Sequence, residues 1–261
     1  SAPLPDYSVA RATRFYIPLV IQAASQSFTY PLVAAVVSHG AGGVAAYGAF
    51  AQGLAVYGLL SSLGVGLLTT GMVYGRTLKG YRNYVRLSIF FMVAIGLTQL
   101  LCVLPPLDGI IFEKIMALDP ETRRIAREAL FYCIPVNVLF YLRNPYQAIL
   151  YNARASGAAN TATMARIAAT LLLSFIFVRI GFTGHFAGSV ALGVPVVGEC
   201  YLSAIMARPY IRCLPATESC GASIREQFLF TIPISFGGML LGMSGFMIAA
   251  FISRAAEPVR M

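Results

Sequence analysis

Seven stretches of mostly apolar residues, at about 15–38, 44–74, 84–106, 128–152, 160–180, 186–207 and 228–253, alternate with short polar or charged joints along the chain. Each reaches the roughly 17 to 25 residues that a helix rising 1.5 Å per residue needs to cross about 30 Å of hydrocarbon. None shows the period-two alternation of an outer-membrane barrel strand. The pattern therefore predicts an all-α integral membrane protein, with no stretch left over for a soluble domain. Between the third and fourth spans, "LDGIIFEKIMALDPETRRIAREAL" predicts an interfacial helix, a turn at Asp119-Pro120 and the capped start of the next helix. The first span is unusual for its polarity: "VIQAASQSFTYPLVAAVV" places Gln22, Ser25, Gln26, Ser27, Thr29 and Tyr30 in succession, followed by Pro31.

Composition changes this picture little: 58% of residues are hydrophobic and only 11% charged, where soluble domains carry about a quarter charged. Charge adds a direction. Arg11 and Arg14 precede the first span, Arg76, Lys79, Arg82 and Arg86 join the second to the third, Arg154 follows the fourth, and Arg208, Arg212 and Arg225 follow the sixth. All fall on one side of the membrane, and the excess of Lys and Arg in cytoplasmic loops predicts that this side and the N-terminus are cytoplasmic. The joint after the third span mixes five acids with its bases and belongs outside. The net charge of +9 is then a topology signal rather than a nucleic-acid footprint.

An internal repeat is the most informative feature. "IPLVIQAASQSFTYPLVAAVVSHGAGGV" from Ile17 aligns without a gap on "IPISFGGMLLGMSGFMIAAFISRAAEPV" from Ile232, matching Ile17-Pro18 to Ile232-Pro233, Ala34-Ala35 to Ala249-Ala250, Ser38 to Ser253 and Val44 to Val259. The repeat predicts that the seventh span opens a second six-helix half, in parallel orientation to the first. The expected organisation is a segment 1–13 on the cytoplasmic side, a six-helix lobe over 14–212, a linker over 213–227 and the first helix of a second lobe over 228–261. A start at Ser1 and a stop one helix into the repeat lead to the expectation that the sequence is part of a longer chain.

At this point the residues resemble a known group. "VAAVVSHG" before a small-residue second helix, "AILYNARASGAANTATMARIAATLLLSFIFV" across the fourth and fifth spans and "GFTGHFAGSVALG" leading into the sixth are similar to the N-terminal lobe of the multidrug and toxic compound extrusion (MATE) fold. That fold belongs to the multidrug/oligosaccharidyl-lipid/polysaccharide (MOP) exporter superfamily. "FEKIMALDPETRRIAREALFYCIPV" and "VVGECYLSAIMARPYIR" most resemble the progressive ankylosis protein family of anion exporters. The resemblance covers nearly all of residues 14–259. It implies a twelve-helix transporter or flippase of a bacterial inner membrane, working by alternating access between two lobes. The implied cargo is an organic anion, an amphipathic compound or a lipid-linked head group, and the partners are the lipid bilayer and that substrate. It also implies that the first two helices of each lobe face a central cavity, which makes Gln22 and Gln26, four residues apart on one helical face, substrate-binding candidates. Interhelical hydrogen bonding is the competing role for them and the preferred one for Ser25, Ser27 and Thr29.

Charges inside spans carry a sharper signal, because an Arg or Glu near the bilayer centre costs about 2.5–3.5 kcal/mol even on the permissive insertion scale. Arg143 with Asn144 and Pro145 in the fourth span, Arg166 in the fifth and Glu199 in the sixth qualify. Three roles compete for Arg143: a structural ion pair with Glu199, snorkelling of its long stem to the headgroups, or direct contact with an anionic substrate shared with Arg166 and Asn144. Glu199 is a candidate for a structural ion pair or for coupling to Na⁺ or H⁺. Many cation-coupled MATE proteins hold an acid in the first helix, and residues 15–38 contain none.

Other chemistry is weakly represented. The glycine series from Gly40 to Gly66 lacks the preceding strand and the Lys-Ser/Thr of a phosphate loop, so helix packing explains it better, as it does Gly238 and Gly242. His39 and His185 are loop residues without metal-ligand spacing, the five cysteines show no redox or metal pattern, and no nucleophile–base pair suggests an enzyme. No cofactor is expected. The alternative to a transporter is an accessory membrane subunit that keeps one lobe of the fold and packs against partner membrane proteins.

Overall fold

The computed structural model describes residues 29–216 and 222–254, together with Thr13, Tyr16, Ile17 and Val20. The expectations for Gln22 and Gln26, and for Pro18 in the repeat, lie outside the described residues. Within them the chain is all-α, with no strand. Six helical stretches are long and apolar enough to cross a membrane: Gly43–Tyr74, Leu78–Val103, Pro120–Asn152, Ser156–Ile180, His185–Arg212 and Ile224–Ser253. They correspond to the second to seventh predicted spans.

In chain order the elements are α1 (Thr29–Ser38), α2 (Gly43–Ser62), α3 (Gly66–Tyr74), α4 (Leu78–Val103), α5 (Pro120–Tyr132), α6 (Ile134–Asn152), α7 (Ser156–Ile180), α8 (His185–Arg212) and α9 (Ile224–Ser253). Local chemistry sets their ends. Thr77 caps α4 by accepting from the Gly80 N–H. Asp119 caps α5 by accepting from the Glu121 and Thr122 N–H groups, ahead of Pro120. Ser223 accepts from Glu226 N–H with an acid three residues on, the pattern of a capping box. As predicted, a helical turn, here of π type over Gly109–Ile115, lies between α4 and the Asp119 cap.

The fourth and second spans differ most from expectation. The fourth begins at Pro120 rather than 128, because α5 is an amphipathic first half whose charges face polar partners: Arg123 pairs with Asp108 at 2.9 Å and Glu113 at 2.6 Å, and Arg124 with Glu128 at 3.2 Å. The second is interrupted at residues 63–65, where backbone bonds tighten to a three-residue spacing, Gly64 N–H to Ser61 O and Val65 N–H to Ser62 O. The cause is steric and polar together. Gly64 lies under the Tyr141 ring, where a Cβ would overlap it, and the Tyr141 hydroxyl donates to Ser61 O at 2.9 Å.

The bundle is apolar outside, and polar side chains are enclosed within its largely apolar core. Leu97, Leu101, Leu172, Phe175 and Phe251 are exposed, whereas Gln99, Asn137, Gln147, Arg166 and Glu199 are buried. Exposed apolar surface of this extent suits lipid rather than water. A chain of hydrogen bonds ties four helices, α2, α4, α5 and α6: Gln99 Nε2 donates to Leu130 O, Asn137 Nδ2 to Gln99 Oε1 and Ser61 Oγ to Asn137 Oδ1, at 2.8, 2.8 and 2.9 Å. α6 and α8 form the centre, with α8 against α6 and α7, and α4 against α6.

The basic joints gather at one end. Leu78 N–H donates to Pro215 O, Asn152 Nδ2 to Gly71 O and Asn83 Nδ2 to Ala222 O, which brings together the segments bearing Arg76, Arg154, Arg212 and Arg225. The acid-rich joint lies at the opposite end, where Ser253 and Arg254 donate to the carbonyls of Met116 and Lys114.

α9 starts at Ile224, four residues before the expected span, and lies against α2, α3 and α4. Of its 30 residues only Gln227, Thr231 and Ser235 are buried. These recur every four residues and form one stripe. Gln227 donates to Gly80 O, Thr231 meets Thr70 at 2.7 Å, and Ser235 accepts from Gly66 N–H. Above the stripe, Gly238 and Gly242 sit directly on Val65 and Ser62. At the matched end of the repeat, α1 and α9 both finish on the aligned serine, and Ser38 and Ser253 donate to the aligned carbonyls of Ala35 and Ala250.

Candidate functional site

Three helices deliver charge to one point in the interior. Arg143 lies nine residues before the end of α6 and Arg166 ten residues after the start of α7, about 14 and 15 Å of helix from the basic end. Glu199 is 14 residues into α8, about 20 Å from either terminus. Arg143 Nη1 stands 2.7 Å, and Arg166 Nε 3.0 Å, from the same Glu199 oxygen, Oε2. The other oxygen, Oε1, accepts from the Thr163 hydroxyl at 2.7 Å. Glu199 is 1% exposed, Arg166 4% and Arg143 8%, so Arg143 turns inward to Glu199 instead of extending to the headgroups.

Phe140 supports both cations, with the Arg143 guanidinium carbon 4.7 Å and that of Arg166 5.9 Å from its ring centroid, within the range of cation–π attraction. Phe140 precedes Arg143 by three residues and Thr163 precedes Arg166 by three, so each pair shares a helical face. These supporting side chains were missed in the sequence, where the three-residue spacing was the available signal. Asn144, a candidate on the same segment, is half-buried and makes none of the cluster's ion pairs or hydrogen bonds.

The cluster holds two cations against one anion. Arg143 Nη1 and Arg166 Nε lie at ion-pair distance from Glu199 without the alignment of hydrogen bonds, and Arg143 Nε has no hydrogen-bond acceptor among the described residues. Guanidinium donors are thus left over in a site of low dielectric, where an anion would be attracted and where a cation would be repelled.

A further set of ion pairs lies at the acid-rich end. His185, expected in a loop, opens α8 and places Nε2 2.7 Å from Glu128 Oε2. Asp119 lies outside the spans. Hydrogen bonds from the Thr122 side chain and backbone, then from Glu121 N–H, hold its carboxyl below the usual range. No group of three metal-ligating side chains occurs among the described residues.

Fold and site together define an all-α membrane protein with a charged cluster inside its helix bundle. No protein-family model matches the chain, and no curated protein matches it.

Proposed function

We propose that the chain is the first lobe, with the opening helix of a second, of a MATE-like exporter of the MOP type that moves an organic anion or an anionic, lipid-linked head group by alternating access. The observation that carries this reading is the excess positive charge of Arg143 and Arg166 over Glu199 in mid-span. A structural ion pair alone needs one cation for the carboxylate, and a second buried guanidinium costs about 2.5–3.5 kcal/mol even on the permissive scale. The uncovered faces of α9 support the same reading, since a second lobe supplies the surface that would pack on them. In this proposal the basic end is cytoplasmic.

Efflux of carboxyfluorescein from vesicles containing the full chain tests the function. Wild type is expected to accelerate efflux, and Arg143→Lys, which keeps the charge but loses the planar fork, to slow it about ten-fold or more while still unfolding cooperatively. Wild-type efflux from Arg143→Lys would overturn the anion contact. Absence of efflux across a panel of organic anions and lipid-linked head groups would point instead to an accessory subunit. Single cysteines at Thr77 and Pro120, labelled from one side at a time, check the orientation. Labelling from the same side would refute it.

A further inference from the structure

A groove runs along the bundle between α4 and α6, and none of the charged cluster's residues line it. It consists of two cavities that share Met92 as a wall. The first, about 490 Å³, opens near the basic end and is bordered by Arg82, Arg86, Tyr81, Ser88 and Tyr146. The second, about 740 Å³, continues toward the acid-rich end along Gly96, Val138, Gly193 and Val194, and its lining carries almost no polar surface. On α4 the groove positions 82, 86, 89, 92, 96 and 100 recur every three or four residues, so they follow one face of the helix from end to end. Gly96 and Gly193 leave the upper part wide, because a Cβ on either would approach Val138 or Val136.

The two arginines on the rim are exposed, and neither forms an ion pair with a described residue. No acidic side chain lines either cavity. The groove thus offers two guanidiniums toward the basic end, followed by an almost wholly apolar track. Ten residues of α4 separate Arg86 from Gly96, about 15 Å, which is the hydrocarbon depth of one leaflet.

We propose that this groove seats one anionic phospholipid of the leaflet at the basic end, its phosphate between Arg82 and Arg86 and one acyl chain lying past Met92 to Gly96. The lipid's fixed negative charge matches the rim, and its chain fills an apolar track that a soluble anion would leave empty. Each arginine near a membrane surface strengthens anionic-lipid binding about five-fold, so the pair accounts for about 25-fold.

Native mass spectrometry and thermal unfolding of the full chain in neutral detergent test the site, with phosphatidylglycerol and phosphatidylcholine of identical acyl chains as probes and glycerol phosphate as the chainless anion. Wild type is expected to retain one phosphatidylglycerol in preference to phosphatidylcholine and to be stabilised by it, while glycerol phosphate has no effect. Arg82→Gln/Arg86→Gln is expected to weaken phosphatidylglycerol about 25-fold and leave phosphatidylcholine unchanged. Gly96→Phe, which fills the track, is expected to weaken both lipids. Either single arginine variant is expected to show about a five-fold loss, should the double variant fail to fold. Equal binding of the two lipids by wild type, an unchanged preference in the double arginine variant, or stabilisation by glycerol phosphate alone would each overturn the proposal.

Discussion

Replacing Glu199 by Gln perturbs the cluster most informatively, because one carboxylate oxygen serves two cations. At an effective dielectric of about 20, ion pairs at these distances carry roughly 5 to 6 kcal/mol of direct attraction each, much of which offsets desolvation. The Gln side chain keeps the shape and removes the charge, leaving two guanidiniums buried together with no anion. The expected loss is at or above the roughly 3–5 kcal/mol typical of an unpaired buried charge. Arg143→Ala behaves differently. Were Arg143 the sole partner of Glu199, its loss would leave the carboxylate unpaired, but Arg166 remains at 3.0 Å and Thr163 at 2.7 Å, so the remnant is a neutral pair and the expected loss is about 1–2 kcal/mol. Most of that comes from packing over Phe140. The double variant Arg143→Ala/Glu199→Gln, with a single leftover cation, should lie closer to the wild type than Glu199→Gln alone. Thermal unfolding in detergent, monitored by helix signal, ranks the three. The reasoning fails if Glu199→Gln is no more destabilising than Arg143→Ala.

Gly64→Ala places a methyl against the Tyr141 ring and is expected to cost about 1–3 kcal/mol, with partial recovery on adding Tyr141→Leu. Thr231→Val removes one member of the Thr70 pair, yet each hydroxyl also reaches its own helix backbone, at Gly66 O and Gln227 O, so the expected cost in detergent unfolding is only about 0.6 kcal/mol. Asp119→Ala is expected to cost about 1 kcal/mol by loss of the cap. Since the folded carboxyl is held below its usual range, the charged part of that contribution is complete above about pH 3.9 and fades as pH falls through the lower folded value. Unfolding of wild type and variant should therefore converge in acid, and a difference that grows in acid would contradict the assignment.

What the chain revealed in advance follows from what a bilayer penalises. Hydrocarbon tolerates neither bare charge nor unpaired backbone, so spans two to seven and the three charges within them stood out as departures from a uniform background. The Asp119-Pro120 cap was legible for a local reason, an acceptor side chain just ahead of a residue without an N–H. The interruption at 63–65 was not, because Gly64 and Gly66 sit in an apolar run of the kind membrane helices commonly carry. What breaks the helix is a ring supplied by Tyr141, 77 residues further on. The role of Thr163 was hidden similarly. A threonine in a span usually bonds its own helix, and only the fold brings Glu199 to it. The stripe Gln227, Thr231, Ser235 had a visible period of four but no visible partner.

That stripe has a consequence for how the molecule is put together. In water a helix that hides amides and hydroxyls while displaying leucine and phenylalanine would be inside out. In lipid the tails solvate its outer faces equally well before and after docking, so α9 joins α2 with no gain from removing apolar surface from solvent. Its attachment is a matter of register: three polar teeth and two glycine notches that mesh at one height only. A joint of this kind does not depend on the peptide link that precedes it. Two separately synthesised pieces, divided between α8 and α9, are expected to insert independently and find each other within the membrane.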